Sequence, residues 1–170
     1  MMKHSQIKPY WNICRRVYLV WAIIIAVGFV ATQFHQLPDI NNLWLVLSFV
    51  GLGYMAIALL NLKSYNLQLI YIGLIWLLTI GFGLSISIAA FYYEPLGELS
   101  AYLGSFWLLL MGVGLGLNSS ADRSATYLIF GGVEILFGLA CYWFEPLILW
   151  QYLIAGAIGS LAMVGLIIYR

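Results

Sequence analysis

Apolar and polar residues come in long blocks along this chain. Six apolar runs, Val17–Phe34, Leu43–Leu60, Leu67–Phe91, Leu99–Leu117, Ala125–Phe144 and Leu147–Tyr169, are separated by short polar segments. Each run has the ~17–25 residues that a helix needs to cross the hydrocarbon of a bilayer, and soluble core helices rarely carry so many apolar residues in succession. The pattern therefore predicts an all-α integral membrane protein with six transmembrane helices. The loops are too short for anything but antiparallel neighbours. The expected organisation is a basic tail over 1–16 and a single domain over 17–170, made of three antiparallel hairpins at about 17–62, 67–117 and 125–169.

The three turns at the far end of these hairpins resemble one another. Phe34-His35-Gln36-Leu37-Pro38-Asp39 closes the first, Phe91-Tyr92-Tyr93-Glu94-Pro95-Leu96 the second and Tyr142-Trp143-Phe144-Glu145-Pro146-Leu147 the third. Each has aromatics, then a proline beside a carboxylate, then the next apolar run. The prolines are 57 and 51 residues apart, and a period near fifty points to a repeated supersecondary unit, here a helical hairpin. Proline should stop the incoming helix, since it pushes its predecessor out of the helical region. Asp39, Asn41, Asn42 and Ser100 are candidates to cap the helix that follows. The repeats run parallel, and no apolar run contains an interior proline, which speaks against an inverted-repeat carrier with broken helices.

Charge orients this picture. All seven Lys and Arg residues fall on one side of the predicted membrane: Lys3, Lys8, Arg15 and Arg16 in the tail, Lys63 and Arg123 in the second and fourth loops, Arg170 at the end. The first, third and fifth loops carry only Asp39, Glu94, Glu98 and Glu145. Basic residues mark the cytoplasmic side, so both termini are expected inside a cytoplasmic membrane and the acidic loops outside. The first run is longer than the h-region of a signal peptide and lacks a small-residue cleavage site, so it reads as the first span. Cys14 and Cys141 fall at opposite ends of the bundle, too far apart for a disulfide.

Composition narrows the partners. The chain is 64% hydrophobic and 8% charged with a formal net charge of +1, against about a quarter charged in soluble domains. The lipid bilayer is the expected partner, with a second copy of the chain or a membrane complex as the possible protein partner; nucleic acid is not.

Three glycine-containing hairpins, a proline at each outer turn and a length of 170 residues resemble the HdeD family of small bacterial membrane proteins. The nearest local match is Gly131-Gly132-Val133-Glu134-Ile135-Leu136-Phe137-Gly138, followed by Pro146, which is similar to that family's glycine–apolar–acidic run before a loop proline. The resemblance covers the whole chain and implies a role in resistance to acid stress.

Few residues could carry chemistry. Glu134 lies at the centre of its span, where an ionised carboxylate costs at least ~2.5–3.5 kcal/mol. It should face the bundle as the neutral acid, sharing a hydrogen bond at that depth with Tyr54, Thr79, Ser85 or Ser160. Glu134, Thr79, Ser160 and Tyr54 thus form a candidate proton or cation site; the plainer reading is a neutral interhelical hydrogen bond. Asp39, Glu94, Glu98 and Glu145 form a candidate acidic outer rim that His35 joins, or else ordinary solvated loops. One histidine among scattered carboxylates is a poor metal site, and His4 and His35 offer no pair of buried ligands for haem. No Ser-His-Asp set or HExxH occurs, so neither catalysis nor a cofactor is expected. Gly112-x-Gly114-x-Gly116 lies inside an apolar run, where small residues let helices approach closely. The function expected is that of a non-enzymatic membrane component, accessory or stress-related. The alternatives are a small oligomeric channel or transporter using Glu134, and a subunit of a larger membrane complex.

Overall fold

The structure is a computed structural model that describes residues 4–34, 40–60, 67–122 and 124–169. Every element in it is helical: α1 (His4–Phe34), α2 (Ile40–Leu60), α3 (Leu67–Tyr92), a 3₁₀ segment (Glu94–Tyr102), α4 (Leu103–Asp122), α5 (Ala125–Trp143), the short α6 (Glu145–Ile148) and α7 (Gln151–Ile168). Six of the helices are long and apolar enough to cross a membrane. The end of the bundle near Cys14 and Ser124 is called the basic end below, and the end near Glu94 and Glu145 the acidic end.

Three boundaries differ from the pattern of apolar runs. Helix α1 begins within the basic tail and carries Pro9 in its second turn. The fourth run enters as a 3₁₀ segment before α4, and the sixth is divided between α6 and α7. The proline turns explain both. Tyr93 (φ −114°, ψ 105°) and Phe144 (φ −107°, ψ 103°) take extended backbone, and Pro95 and Pro146 sit in the first positions of the helical segment that follows. Proline therefore starts the next element here, where its missing N–H costs nothing. The two turns share one hydrogen-bond pattern. Tyr93 N–H donates to Ala89 O (2.8 Å) and Phe144 N–H to Ala140 O (3.0 Å); Leu96 and Leu147 N–H return to Tyr93 O and Phe144 O, both at 2.9 Å. Ser100, a candidate cap, instead donates to Gly97 O (2.6 Å). Asp39, with the rest of the first turn, lies outside the described residues.

Consecutive long helices are neighbours, but the tightest seams are α4 against α5 and α1 against α7. Glycine sets the first of these. A Cβ on Gly112 would come within 2.7 Å of Gly131 O, and one on Gly131 within 2.7 Å of Gly112 O. Helix α7 packs on α1 in the same manner, where a Cβ on Gly156 would meet Phe29 Cβ at 3.1 Å. Helix α2 is the loose member. Only 11% of its apolar window is buried, against 28% to 50% in the other five, and its seam with α3 is the sparsest between consecutive long helices.

Side chains tie the acidic end together. Gln151, buried at the start of α7, donates through Nε2 to Ala101 O and accepts from Ser105 N–H (3.2 Å). Tyr152 Oη donates to Ser100 O (3.2 Å), and Gln33 Nε2 at the end of α1 donates to Leu149 O (2.9 Å). Towards the basic end, the hydroxyls of Tyr18 on α1 and Tyr127 on α5 hydrogen-bond to each other in the core.

Candidate functional site

Helix α5 buries Tyr127, Gly131, Glu134, Gly138 and Cys141, a stripe spaced by three and four residues that marks one helix face. Gly131 and Gly138 on this stripe abut α4, so Glu134 enters the bundle on the same side. It is fully buried, and neither carboxyl oxygen has a hydrogen-bond partner among the described residues.

The other residues expected near Glu134 lie on separate seams. Thr79 on α3 faces Gly114 of α4, whose added Cβ would sit 3.3 Å from its Oγ1. Gly112 and Gly114 are two residues apart, roughly 200° around the helix, so α4 stands between Thr79 and the α5 stripe. Ser160 Oγ is engaged with Gly156 O (2.5 Å) and Ala22 O (3.1 Å), on the α1–α7 seam. Ser85 donates to Gly81 O (2.8 Å) in its own helix, and Tyr54 is half-buried on α2. No hydrogen bond joins any of these to Glu134. Of the acidic rim, Glu94, Glu98 and Glu145 are exposed. Their two turns are brought together by Tyr102 and Tyr142, whose rings lie 5.2 Å apart. Asp39 and His35 lie outside the described residues.

Six buried polar residues escaped the sequence reading: Ser48, Ser87, Ser105, Ser119 and the two amides Gln151 and Asn118. Gln151 is the clamp described above. Asn118 is fully buried with neither side-chain atom partnered among the described residues, yet it follows the last residue of the fourth apolar run and so reads as loop. The signal that could have found it is the stripe Leu108, Met111, Leu115, Asn118, all buried and at helical spacing.

The principal cavity lies away from Glu134. It is a cleft enclosed by α1, α2, α3, α4 and α7, with about 980 Å³ of empty space including its open mouth. Trp21, Trp44, Trp76 and Trp107, with Met55, Met111 and Met163, give its wall aromatic and thioether surface, and Cys14, Tyr18, Ser48 and Thr79 bring its few polar atoms. No charged residue lines it. Towards the acidic end Phe29, Trp44 and Trp107 separate it from a smaller cavity of about 420 Å³. Trp44 stacks on Trp107 at 6.1 Å with planes 10° apart, and Phe29 meets Trp44 edge-on at 4.8 Å. Both indole N–H groups are satisfied, Trp44 Nε1 by Thr32 Oγ1 (2.8 Å) and Trp107 Nε1 by Ser87 Oγ (3.0 Å). The aromatic partition is therefore held in place. A wall of this kind offers dispersion contacts and soft, polarisable sulfur, and suits hydrocarbon rather than an ion or a polar solute.

Comparison of the chain with protein-family models, with curated proteins and with solved structures found no match. The class is therefore defined by the fold itself: an all-helical bundle with six helices long and apolar enough to span a membrane, enclosing an apolar cleft.

Proposed function

We propose that the protein is a multi-pass component of the cytoplasmic membrane, with both termini inside, that acts without catalysis by holding an apolar molecule in the cleft between α1, α2 and α3. The cleft carries this reading: a bundle in lipid gains nothing from leaving such a space open, and its wall matches a hydrocarbon guest. Orientation follows from the placement of the basic residues. Three related hairpins are supported by the common geometry of the Tyr93 and Phe144 turns and by the spacing of the prolines. In this scheme the α2–α3 seam is the open counterpart of the closed α4–α5 and α7–α1 seams. The resemblance of its hairpins and of the Gly131–Gly138 run to the HdeD family supports a role for such a component in the acid-stress response.

The second reading is a proton-linked carrier, and it rests on Glu134 alone. A conduction path needs polar groups in succession, and those of this chain are divided among separate seams. Extraction of the purified protein is expected to release about one long-chain molecule per chain, with proton leak in reconstituted vesicles no greater than in protein-free ones. A protein that carries nothing in the cleft and shows a proton flux abolished by Glu134→Gln would reverse the order of the two readings.

A further inference from the structure

We propose that the guest of the cleft is an acyl chain of an anionic phospholipid drawn from the cytoplasmic leaflet, with its phosphate at the basic end beside Arg15. This rests on the cleft-binding reading and adds to it the class of guest, its direction and its head-group contact.

Direction comes from charge. Of the described basic residues, Arg15 and Arg16 lie exposed at the basic end, while Glu94, Glu98 and Glu145 are exposed at the other. An amphiphile with a negative head is stabilised head-down at the basic end and repelled at the acidic one, and each Lys or Arg near the surface adds to its retention. The lining reaches the right depth. Cys14 on α1, Ala58 and Leu59 on α2, and Ile72 and Gly73 on α3 line the cleft at its basic end, the depth of inner-leaflet head groups in the proposed orientation.

Depth and shape fit a whole chain. The lining runs along α1 from Cys14 to Phe29, roughly 22 Å at ~1.5 Å per residue, against ~15 Å for half of the hydrocarbon core. The Phe29, Trp44 and Trp107 partition closes the far end. A chain in place meets aromatic and thioether surface along its length and leaves no charge unpaired, because no charged side chain lines the cleft. The barely buried α2 is the wall that yields as the chain enters from the side.

Arg15 is the cation the geometry selects. It follows Cys14 on α1 and is exposed, and one step along a helix turns by ~100°, so Arg15 flanks the lining face. Arg16 falls a further step round, in line with the exposed Leu19 and Ile23 on the far side of α1. The two neighbours should therefore behave differently.

Native mass spectrometry of the delipidated full chain tests this, with phosphatidylglycerol, phosphatidylcholine and diacylglycerol of identical chains as probes. One phosphatidylglycerol per chain is expected to be retained in preference to phosphatidylcholine. Arg15→Gln should weaken that preference about fivefold, Arg15→Lys should keep it, and Arg16→Gln should change it less. Ala58→Leu with Gly73→Leu, which fills the basic end of the cleft, should lower retention of all three probes. The arginine variants stand as the test even if the filled variant fails to fold. Equal retention of the two phospholipids, or equal effects of the two arginines, would overturn the anionic-lipid proposal; the cleft reading survives that outcome if filling still expels the probes. Retention of no probe, or a folded filled variant that retains them all, would overturn both.

Discussion

Among the described residues Ser105 and Gln33 each leave one buried polar atom without a partner, but Glu134 and Asn118 leave two, and they carry the largest unmet cost in this fold. Each is fully buried, and neither finds a hydrogen-bond partner among the described residues. A buried polar group left unsatisfied costs about 1–3 kcal/mol. Glu134→Met keeps the length of the side chain and removes that cost, so the thermal midpoint in detergent should rise by roughly 2–10 °C. Glu134→Gln keeps a donor and an acceptor and should leave the midpoint near that of the parent. A fall in stability for the methionine variant would mean that the carboxyl is held by a favourable contact. Glu134 was legible because a lone carboxylate in the middle of an apolar run has no trivial explanation. Asn118 was not, because an asparagine at the edge of a run looks like the start of a loop. Polarity marks a buried site only where its surroundings in sequence are unambiguous.

At the scale of the helices, the runs foretold how many long elements there are and, apart from α1, which begins well before its run at His4, where they begin to within a few residues. They did not foretell the 3₁₀ entry to α4 or the division of the sixth run into α6 and α7. Those features start at the proline turns, where Pro95 and Pro146 open a short segment of their own. Gln151 then ties the two segments together by reaching Ala101 and Ser105 across the acidic end, a pairing that no window of sequence contains. Glycine position was legible as packing, but not which glycine packs. Gly131 and Gly132 separate the two cases. A Cβ on Gly131 would come within 2.7 Å of Gly112 O, whereas one on Gly132 would meet nothing within 4 Å. Gly131→Ala should therefore force α4 and α5 apart and cost about 1–3 kcal/mol. Gly132→Ala should be neutral or add up to ~1 kcal/mol from helix propensity. Paired unfolding curves of the two variants check this, and equal losses would show that the seam does not depend on the glycine contact.

For the molecule as a whole, orientation and cleft depend on each other. A cleft that seats a phosphate beside Arg15 can take an inner-leaflet lipid only if that end faces the cytoplasm, so topology is the premise to test first. The native thiols make poor reporters, since Cys141 is fully buried and Cys14 lines the cleft. With both replaced by alanine, single cysteines can be placed on exposed positions at either end. Leu67, 84% exposed at the start of α3, serves the basic end, and Glu98, exposed in the 3₁₀ segment, serves the acidic end. Neither change removes a basic residue, and acidic residues contribute little to orientation, so the substitutions should not themselves turn the protein over. A membrane-impermeant maleimide should label Glu98→Cys in intact cells and Leu67→Cys only after lysis. The reverse pattern would place Arg15 and the basic end of the cleft outside. The guest would then have to come from the other leaflet, and the charge argument for its direction would fail even if the cleft still held a hydrocarbon chain.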